Sequence, residues 1–255
     1  MKKITAIVLA AILVCALLAG CGAKDSGMTI EKGKLIMSTN AAFPPYEMVA
    51  DDGSFEGIDV EIAGAIAKKL NLELVVDDMD FDADLLAVQE NKSDIVMAGV
   101  TVNEDRLMVM NFSDSYATGK QMVIVKEGSD VTMDNLGEKM IGCQRGTTGY
   151  IYASDSPDNG GYGEDHVTAY DNGASAVNAL LNGQVDCVII DSAPAEAYVA
   201  ENAGLTLLEG EWVVENYAIG MNKENKDLLE AVNKALAELT ADGTIQSILD
   251  KYITA

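Results

Sequence analysis

The alternation of short apolar runs with amphipathic segments, which starts at Lys34, constrains the fold of this chain more than any other feature of the sequence. Strands are predicted at residues 34–38, 72–76, 94–98, 139–143, 167–170 and 186–190, and helices at 59–70, 82–90, from about 147, and at 173–181. Asp59 is the predicted N-cap of the first helix, whose apolar stripe consists of Val60, Ala63, Ala67 and Leu70. Strands that alternate with helices in this way are typical of an α/β fold with mostly parallel sheets.

The predicted elements form two sets that resemble each other. Residues 85–99 read LLAVQENKSDIVMAG and residues 177–191 read VNALLNGQVDCVIID, so each contains a helix, a polar turn, an Asp and a buried strand. Gly99 and Asp191 occupy the matching strand ends. Because open α/β folds bind ligands at the carboxyl ends of their parallel strands, we expect both residues to lie at that kind of location.

Two segments rich in Val and Ile, residues 116–127 and 211–222, have no helix signal. They are predicted to be extended crossings between two lobes, which is the arrangement of a hinge. Helices are predicted at residues 225–241 and 244–252, where they would cover the first lobe.

The N-terminus has the organisation of an export signal. Two lysines precede an apolar segment at residues 4–18, and the sequence LAGC at residues 18–21 resembles the bacterial lipobox, in which the bond before Cys is cut and the Cys carries a lipid. This predicts a lipoprotein signal peptide at residues 1–20, followed by a lipidated Cys21 and a polar tether up to residue 33. An uncleaved signal anchor is the alternative, and both place the domain outside the cytoplasm.

The chain is strongly acidic, with a formal net charge of −24 that becomes −26 when Lys2 and Lys3 are removed with residues 1–20. A surface of this charge argues against nucleic acid as a partner and against flat contact with anionic lipid. We therefore expect contact with the membrane to be made through the lipid on Cys21. The remaining 235 of the 255 residues are enough for two lobes.

Four cysteines are present, but Cys15 lies in the predicted signal and Cys21 is the predicted lipid acceptor. Cys143 and Cys187 both lie in apolar runs typical of strands. A disulfide between them is compatible with an exported protein, whereas nothing in their spacing demands one, and buried free thiols are the favoured interpretation.

The loop at residues 40–47, with the sequence NAAFPPYE, holds two aromatic rings around two adjacent prolines. Proline fixes φ and restricts the residue before it, so Phe43 and Tyr46 are displayed with little freedom. The loop by itself is compatible with a core corner or with the wall of a ligand site.

Arg106 follows the sequence AGVT at residues 98–101 by five positions. Glycine lets a ligand approach the backbone, threonine offers a hydroxyl, and the planar guanidinium can bind a carboxylate with two parallel bonds. Since Glu104 and Asp105 precede the arginine, an exposed ion pair at a helix start is the alternative interpretation.

Five ordered motifs decide between these alternatives: STNAAFPPYE, DDGSFEGIDVEIAGAIAKKL, DFDADLLAVQENKSDIVMAGVTVNEDR, NFSDSY and IGCQRGTTG. With them the chain resembles, from Lys34 to its C-terminus, the polar amino acid-binding proteins of ABC importers. The resemblance implies a two-lobe, periplasmic-binding-protein-like (type II) α/β fold with two hinge crossings. Its first lobe is discontinuous, at residues 34–117 plus 219–255, and its second lobe spans residues 118–218.

The resemblance also implies roles for individual residues. Arg106 would bind the ligand carboxylate, helped by Thr101 and by the backbone N–H of Thr148. Thr148 lies at the start of a predicted helix, and the start of a helix attracts an anion. Asp191, the carbonyl of Gly99 and the Thr101 hydroxyl would receive the α-ammonium group. The full predicted set is Asn40, Phe43, Tyr46, Phe81, Ala98, Gly99, Thr101, Arg106, Gln144, Thr147, Thr148 and Asp191. Tyr46 fits the ligand wall and the core equally well, and Asp191 and Thr148 are also candidate helix caps.

Side-chain specificity is predicted less sharply. The positions that match the variable end of the ligand are Asn40, Glu47, Gln144 and Ile190. The acidic Glu47 suggests a basic ligand side chain, while the neutral Asn40 and Gln144 suit an amide. The sequence therefore favours a polar amino acid that is basic or carries an amide.

Two other signals do not develop into sites. Residues 77–84, with the sequence DDMDFDAD, have the alternating acids of a calcium loop, but Ala83 and Gln89 stand where that loop needs Gly and Glu. His166 is the single histidine. The sequence has no Gly-x-Ser-x-Gly motif that would supply a serine nucleophile for it, and it is interpreted as an exposed loop residue. We expect no metal, no cofactor and no catalytic residue.

The predicted function is capture of a free amino acid by a monomer that presents it to ABC permease subunits with their cytoplasmic ATPase. An enzyme similar to the cyclohexadienyl dehydratases of the same fold class is one alternative, although nothing here marks the additional acid that it needs. A ligand-sensing module that acts through a separate membrane partner is the other.

Overall fold

The computed structural model describes residues 27–210 and 213–253. The predicted signal peptide, Cys21 and residues 22–26 of the predicted tether lie outside the described residues. Within the described part, no helix has the length and apolar composition needed to span a bilayer.

The predicted α/β pattern is confirmed. The strands are β1 (Lys34–Thr39), β2 (Ala42–Phe43), β3 (Glu47–Val49), β4 (Phe55–Glu56), β5 (Glu73–Asp78), β6 (Ile95–Val96), β7 (Met110–Lys126), β8 (Ile141–Gln144), β9 (Val167–Tyr170), β10 (Cys187–Asp191), β11 (Leu205–Leu207) and β12 (Val214–Asn222). The α-helices are α1 (Ile58–Leu70), α2 (Phe81–Gln89), α3 (Glu104–Val109), α4 (Thr148–Ser154), α5 (Gly173–Leu181), α6 (Ser192–Glu201), α7 (Lys226–Ala241) and α8 (Thr244–Tyr252). Short 3-10 turns lie at Met133–Glu138, Pro157–Asn159 and Glu164–His166.

Two groups of parallel strands form the outer parts of the main sheet, whose order is β5-β1-β6-β12-β7-β10-β8-β9. The first group consists of β1, β5 and β6, and the second of β8, β9 and β10. Between them, the long strands β7 and β12 pair with each other in antiparallel register. These two strands coincide with the two predicted extended crossings and are the only link between the groups along the path of the sheet in the described residues.

One apolar cluster contains residues of both groups, among them Val188 and Ile190 of β10 in the second group. In the first group, α1 packs its buried face, which includes Ile62 and Ile66, over Leu35 and Met37 of β1. Helices α7 and α8 pack against α1, so the predicted covering of this side by the C-terminal helices is confirmed. In the second group, residues of β7, β8 and β10, among them Val123 and Ile141, form a separate cluster.

The start of α1 differs from the prediction. Gly57, at φ 128°, is the N-cap, and a Cβ there would approach the Tyr46 carbonyl oxygen to 2.3 Å. Asp59 is therefore not a cap; it is fully buried in the first turn, where its Oδ2 accepts a hydrogen bond of 2.9 Å from the Gly99 N–H. The buried stripe consists of Ile58, Ile62, Ala63, Ile66 and Ala67, so the predicted Val60 and Leu70 lie only at its edges.

Cys143 and Cys187 are free and buried on neighbouring parallel strands. Burial raises the pKa of both thiols, that of Cys187 to about 12. They behave as small core residues, as the favoured interpretation of the sequence proposed.

Candidate ligand-binding site

A narrow cavity, with about 10 Å³ accessible to the centre of a water molecule, lies between the two parallel groups. It is lined by Asn40, Phe43, Glu47, Phe81, Ala98, Gly99, Thr101, Arg106, Gln144, Thr147, Thr148 and Asp191. The structure thus brings together every predicted site residue except Tyr46 and adds Glu47. Their roles toward a ligand stay predictions.

The lining residues meet because they follow the carboxyl ends of strands in both groups. Asn40 follows β1, Gly99 lies just after β6, and Arg106 is on α3. From the opposite side, Gln144 ends β8 and Asp191 ends β10. The cavity is therefore built from both halves of the sheet, and closing or opening the halves would change it.

Arg106 is 7% exposed and connects the two halves. Its Nη1 donates to the Thr101 carbonyl at 2.8 Å, its Nη2 donates to the Gly146 carbonyl at 3.1 Å, and the guanidinium lies 5.3 Å from the centre of the Phe81 ring. No carboxylate of the described residues lies within 4.0 Å of it, although Glu215, Asp84 and Asp191 act at longer range. Burial lowers the pKa of Arg106 from its ordinary value. A buried cation with donors to spare is suited to bind an anion.

The start of α4 lies beside this guanidinium. Thr147 is the N-cap, and its Oγ1 accepts from the Tyr150 N–H at 3.3 Å. Thr148 is the first helical residue and not the cap, so the alternative capping role considered for it is wrong. Its backbone N–H has no acceptor within the helix and is directed toward the helix start.

Asp191 also lines the cavity and is 7% exposed. It occupies the N-cap position of α6, but its side chain makes no capping bond and accepts a short hydrogen bond from the Tyr217 hydroxyl instead. Burial and the neighbouring Glu215 carboxylate raise the pKa of Asp191 to about 7. This carboxylate is therefore poorly solvated when ionised and would gain from a cationic partner.

Gly99 adopts φ +55°, a left-handed conformation that favours glycine, and a Cβ there would approach Phe43 Cε1 to 2.7 Å. Its N–H is bound by Asp59, which fixes the orientation of the peptide group. Burial raises the pKa of Asp59 to about 6.

The aromatic loop separates its two rings. Phe43 lines the cavity, as does Phe81 from the start of α2. Tyr46 does not reach the cavity; it is 2% exposed and packs edge-on against Tyr217, with ring centres 5.2 Å apart. The Tyr46 N–H donates to the Phe43 carbonyl, so the turn directs the second ring into the core.

The opposite wall of the cavity carries two amides. Gln144 Nε2 donates to Asn40 Oδ1 at 2.9 Å, and Asn40 Nδ2 donates to the Met79 carbonyl at 2.8 Å. Glu47 is fully buried beside them, and its burial, together with Asp59, raises its pKa well above the usual range. Ile190 is buried but is not among the lining residues, so of the four positions considered for specificity three face the cavity.

Glu215 is the functional candidate that the sequence analysis missed. It is 4% exposed on β12, where the alternation of exposed and buried positions places it on the same face as Tyr217. Its Oε2 accepts hydrogen bonds from the hydroxyls of Thr101 at 3.0 Å and Thr148 at 2.9 Å, both of which line the cavity. The alternation covers only residues 214–217, and the position of Glu215 two residues before the buried Tyr217 is the signal that could have found it.

The described residues hold no group of three or more His, Cys, Asp and Glu side chains arranged to bind a metal ion. His166 is half-buried at the end of a 3-10 turn rather than fully exposed, and it does not line the cavity.

Comparison with known proteins gives consistent matches over almost the whole chain. The family described as bacterial extracellular solute-binding proteins, family 3, matches residues 35–255. The arginine-binding extracellular protein ArtP of Bacillus subtilis (strain 168) is 32% identical, with 100% of this chain and 99% of that protein covered. Two solved structures of ancestral arginine-binding proteins have TM-scores of 0.81. The one bound to arginine is 38% identical and covers 87% of this chain and 99% of its own. The one bound to glutamine is 36% identical and covers 88% and 100%.

Proposed function

The chain belongs to the bacterial extracellular solute-binding proteins of family 3, with the two-lobe type II fold of its structural neighbours, and we propose that it captures a free polar L-amino acid for an ABC importer. The observation that carries the proposal is that a buried cationic group and a buried acidic group line one cavity. Arg106 and Asp191 both line it, and neither forms an ion pair within the described residues.

A free amino acid supplies what each group lacks. Taking a zwitterion out of water is costly unless both of its charges find partners. The carboxylate would accept from the Arg106 guanidinium and from the Thr148 N–H. The ammonium group would donate to Asp191, to the Gly99 carbonyl and to the Thr101 hydroxyl oxygen.

The ligand side chain would extend between Phe43 and Phe81 toward Asn40 and Gln144. Carbonyl oxygens of these amides can accept from nitrogen donors, and the aromatic faces can stack on a planar amide or guanidinium group. We therefore propose a basic or amide side chain. The arginine and glutamine ligands of the two ancestral arginine-binding proteins support this choice.

We place the first lobe at residues 34–117 plus 219–255 and the second at 118–218, with β7 and β12 as the hinge. Two contacts support closure around the ligand: Arg106 donates to Gly146, and Gln144 donates to Asn40. A ligand that binds both lobes favours the closed form, which the permease would recognise.

The family is extracellular, and we propose that this chain is a monomer held at the outer face of the cell membrane by a lipid on Cys21 after removal of residues 1–20. Its partners would be the permease subunits and their ATPase. The reported relative is a binding protein, and we assign no catalytic residue.

Isothermal calorimetry of residues 22–255 against the twenty common L-amino acids tests this proposal. We expect binding of one or a few amino acids with basic or amide side chains, and no binding of the matching D-enantiomers. Absence of binding to every amino acid would refute the proposal. Turnover of prephenate by the same preparation would support the dehydratase alternative instead.

A further inference from the structure

Glu215 lies directly beneath the cavity without lining it. One of its oxygens, Oε2, accepts three hydrogen bonds: from Thr101 Oγ1 at 3.0 Å, from Thr148 Oγ1 at 2.9 Å and from Gln121 Nε2 at 3.0 Å. Thr101 follows the first parallel group and Thr148 follows the second. A single carboxylate on a crossing strand therefore holds hydroxyl groups from both sides of the site.

These bonds fix the direction in which each hydroxyl can act. A carboxylate accepts hydrogen bonds and does not donate them, so the hydroxyl hydrogens of Thr101 and Thr148 point toward Glu215. A hydroxyl has one hydrogen and two lone pairs. Toward the cavity, both hydroxyl groups can therefore present only acceptors.

We propose that Glu215 is a positioning residue that sorts the two poles of the amino acid: it turns the Thr101 hydroxyl into an acceptor for the ammonium group and leaves the Thr148 hydroxyl unable to donate to the carboxylate. This inference rests on the proposed function. An ammonium group has donors only, so it can bond to a hydroxyl group that presents an acceptor. A carboxylate has acceptors only, so it finds no donor in these hydroxyl groups and binds to Arg106 and the Thr148 N–H instead. Glu215 thus fixes the orientation of the ligand without touching it.

The negative charge of Glu215 acts on both charged groups that line the cavity. It stabilises the charged form of Arg106 and destabilises the ionised form of Asp191. Because the charge acts on both poles of the site, the directions of the two hydroxyl groups, and not the charge alone, carry the selection.

The test compares ligands with and without the ammonium group. L-arginine and L-glutamine, and the analogue of each that lacks the α-amino group, are titrated calorimetrically into wild-type protein and Glu215→Gln. We expect Glu215→Gln to weaken amino acid binding by about tenfold or more, since a charge-assisted network is lost, and to change binding of the deamino analogue by less than about threefold.

Three variants control the result. Glu209→Gln removes the same charge from an exposed position and should leave the ratio of the two affinities unchanged. Thr101→Val should reproduce the loss, while Thr101→Ser, which keeps the hydroxyl group, should restore the preference for the amino acid over its deamino analogue that the valine removes. In the double variant Glu215→Gln/Thr101→Val the losses should not add, because both act on one contact.

An equal loss for the amino acid and its deamino analogue would mean that Glu215 only supports the structure, and it would overturn this inference while leaving the proposed function intact. Wild-type protein that binds none of the twenty L-amino acids would overturn both. If Glu215→Gln unfolds below the assay temperature, the comparison of Thr101→Val with Thr101→Ser decides the question. If Thr101→Val left the ratio of the affinities for the amino acid and its deamino analogue unchanged, the inference would be overturned.

Discussion

Replacing Arg106 by alanine is the perturbation with the largest expected effect on binding. The side chain is 7% exposed, donates to the Thr101 and Gly146 carbonyls at 2.8 and 3.1 Å, and has no carboxylate partner within 4.0 Å in the described residues. Its main electrostatic partner in the bound state would be the ligand carboxylate. Without Arg106 that carboxylate is buried and lacks a charged partner.

The magnitude follows from known buried pairs. Breaking a buried ion pair by removing one partner costs about 3–5 kcal/mol. At about 1.4 kcal/mol for each factor of ten, Arg106→Ala should weaken amino acid binding by roughly 100- to 4,000-fold. The free energy of unfolding of the ligand-free protein should change much less, by about 2 kcal/mol or less, because the two lost hydrogen bonds are offset by removal of a poorly solvated charge.

Calorimetry gives the affinity, and thermal unfolding of the ligand-free protein reports stability. The chain has one other arginine, Arg145, whose side chain is 51% exposed and lies 3.6 Å from Asp171. Arg145→Ala is therefore a matched control that should change affinity by less than about threefold. If Arg106→Ala bound the ligand within tenfold of wild type, the assignment of the carboxylate site would be refuted.

Further predictions concern pH, backbone and thiols. The pKa of Asp191 is raised to about 7 in the ligand-free protein, and pairing with an ammonium group requires the ionised carboxylate. Affinity for the amino acid should therefore fall as the pH is lowered below 7, and binding near pH 7 should release a proton, which calorimetry in buffers of different ionisation enthalpy detects. An affinity that stays constant from about pH 5 to 8 would contradict this. Because a raised carboxyl pKa costs stability above it, Asp191→Asn should raise the melting temperature of the ligand-free protein at pH 8 while it weakens binding. Gly99→Ala should lower the free energy of unfolding by about 1–2 kcal/mol and weaken ligand binding, because φ at this position is +55° and the new Cβ would contact Phe43. A melting temperature equal to that of the wild type would contradict this prediction. Cys143 and Cys187 should react with a thiol reagent at pH 8 only after unfolding, and rapid labelling of the native protein would show that they are not buried.

The sequence predicts the frame of this site well because the relevant signals are local. Hydrophobic periodicity locates helix α5 and strand β9 with the bounds that the structure has, at Gly173–Leu181 and Val167–Tyr170. The matching strand ends place Gly99 and Asp191 in one cavity, and the helix that follows the Gly-Thr-Thr-Gly turn begins where expected. The helix and strand bounds depend on neighbours within a few positions in the chain, whereas the meeting of Gly99 and Asp191 follows from the general rule that ligands bind at the carboxyl ends of parallel strands.

Features that depend on distant contacts were predicted poorly. The loop after Phe43 does not reveal that Tyr46 packs against Tyr217, which is remote in sequence. Asp is a residue type that often caps helices, but Gly57 is the N-cap here, and the Asp59 side chain accepts a hydrogen bond from the Gly99 N–H instead. Glu215 was missed because its importance depends on hydroxyl groups more than sixty residues away.

A crystal structure of the protein with its amino acid bound would test the central claim most directly. The account predicts one carboxylate oxygen or more within about 3 Å of the Arg106 guanidinium, and the ligand nitrogen within about 3 Å of Asp191, in a cleft closed by both lobes. A ligand bound elsewhere, or bound here with its carboxylate at Asp191 and its ammonium group at Arg106, would contradict it.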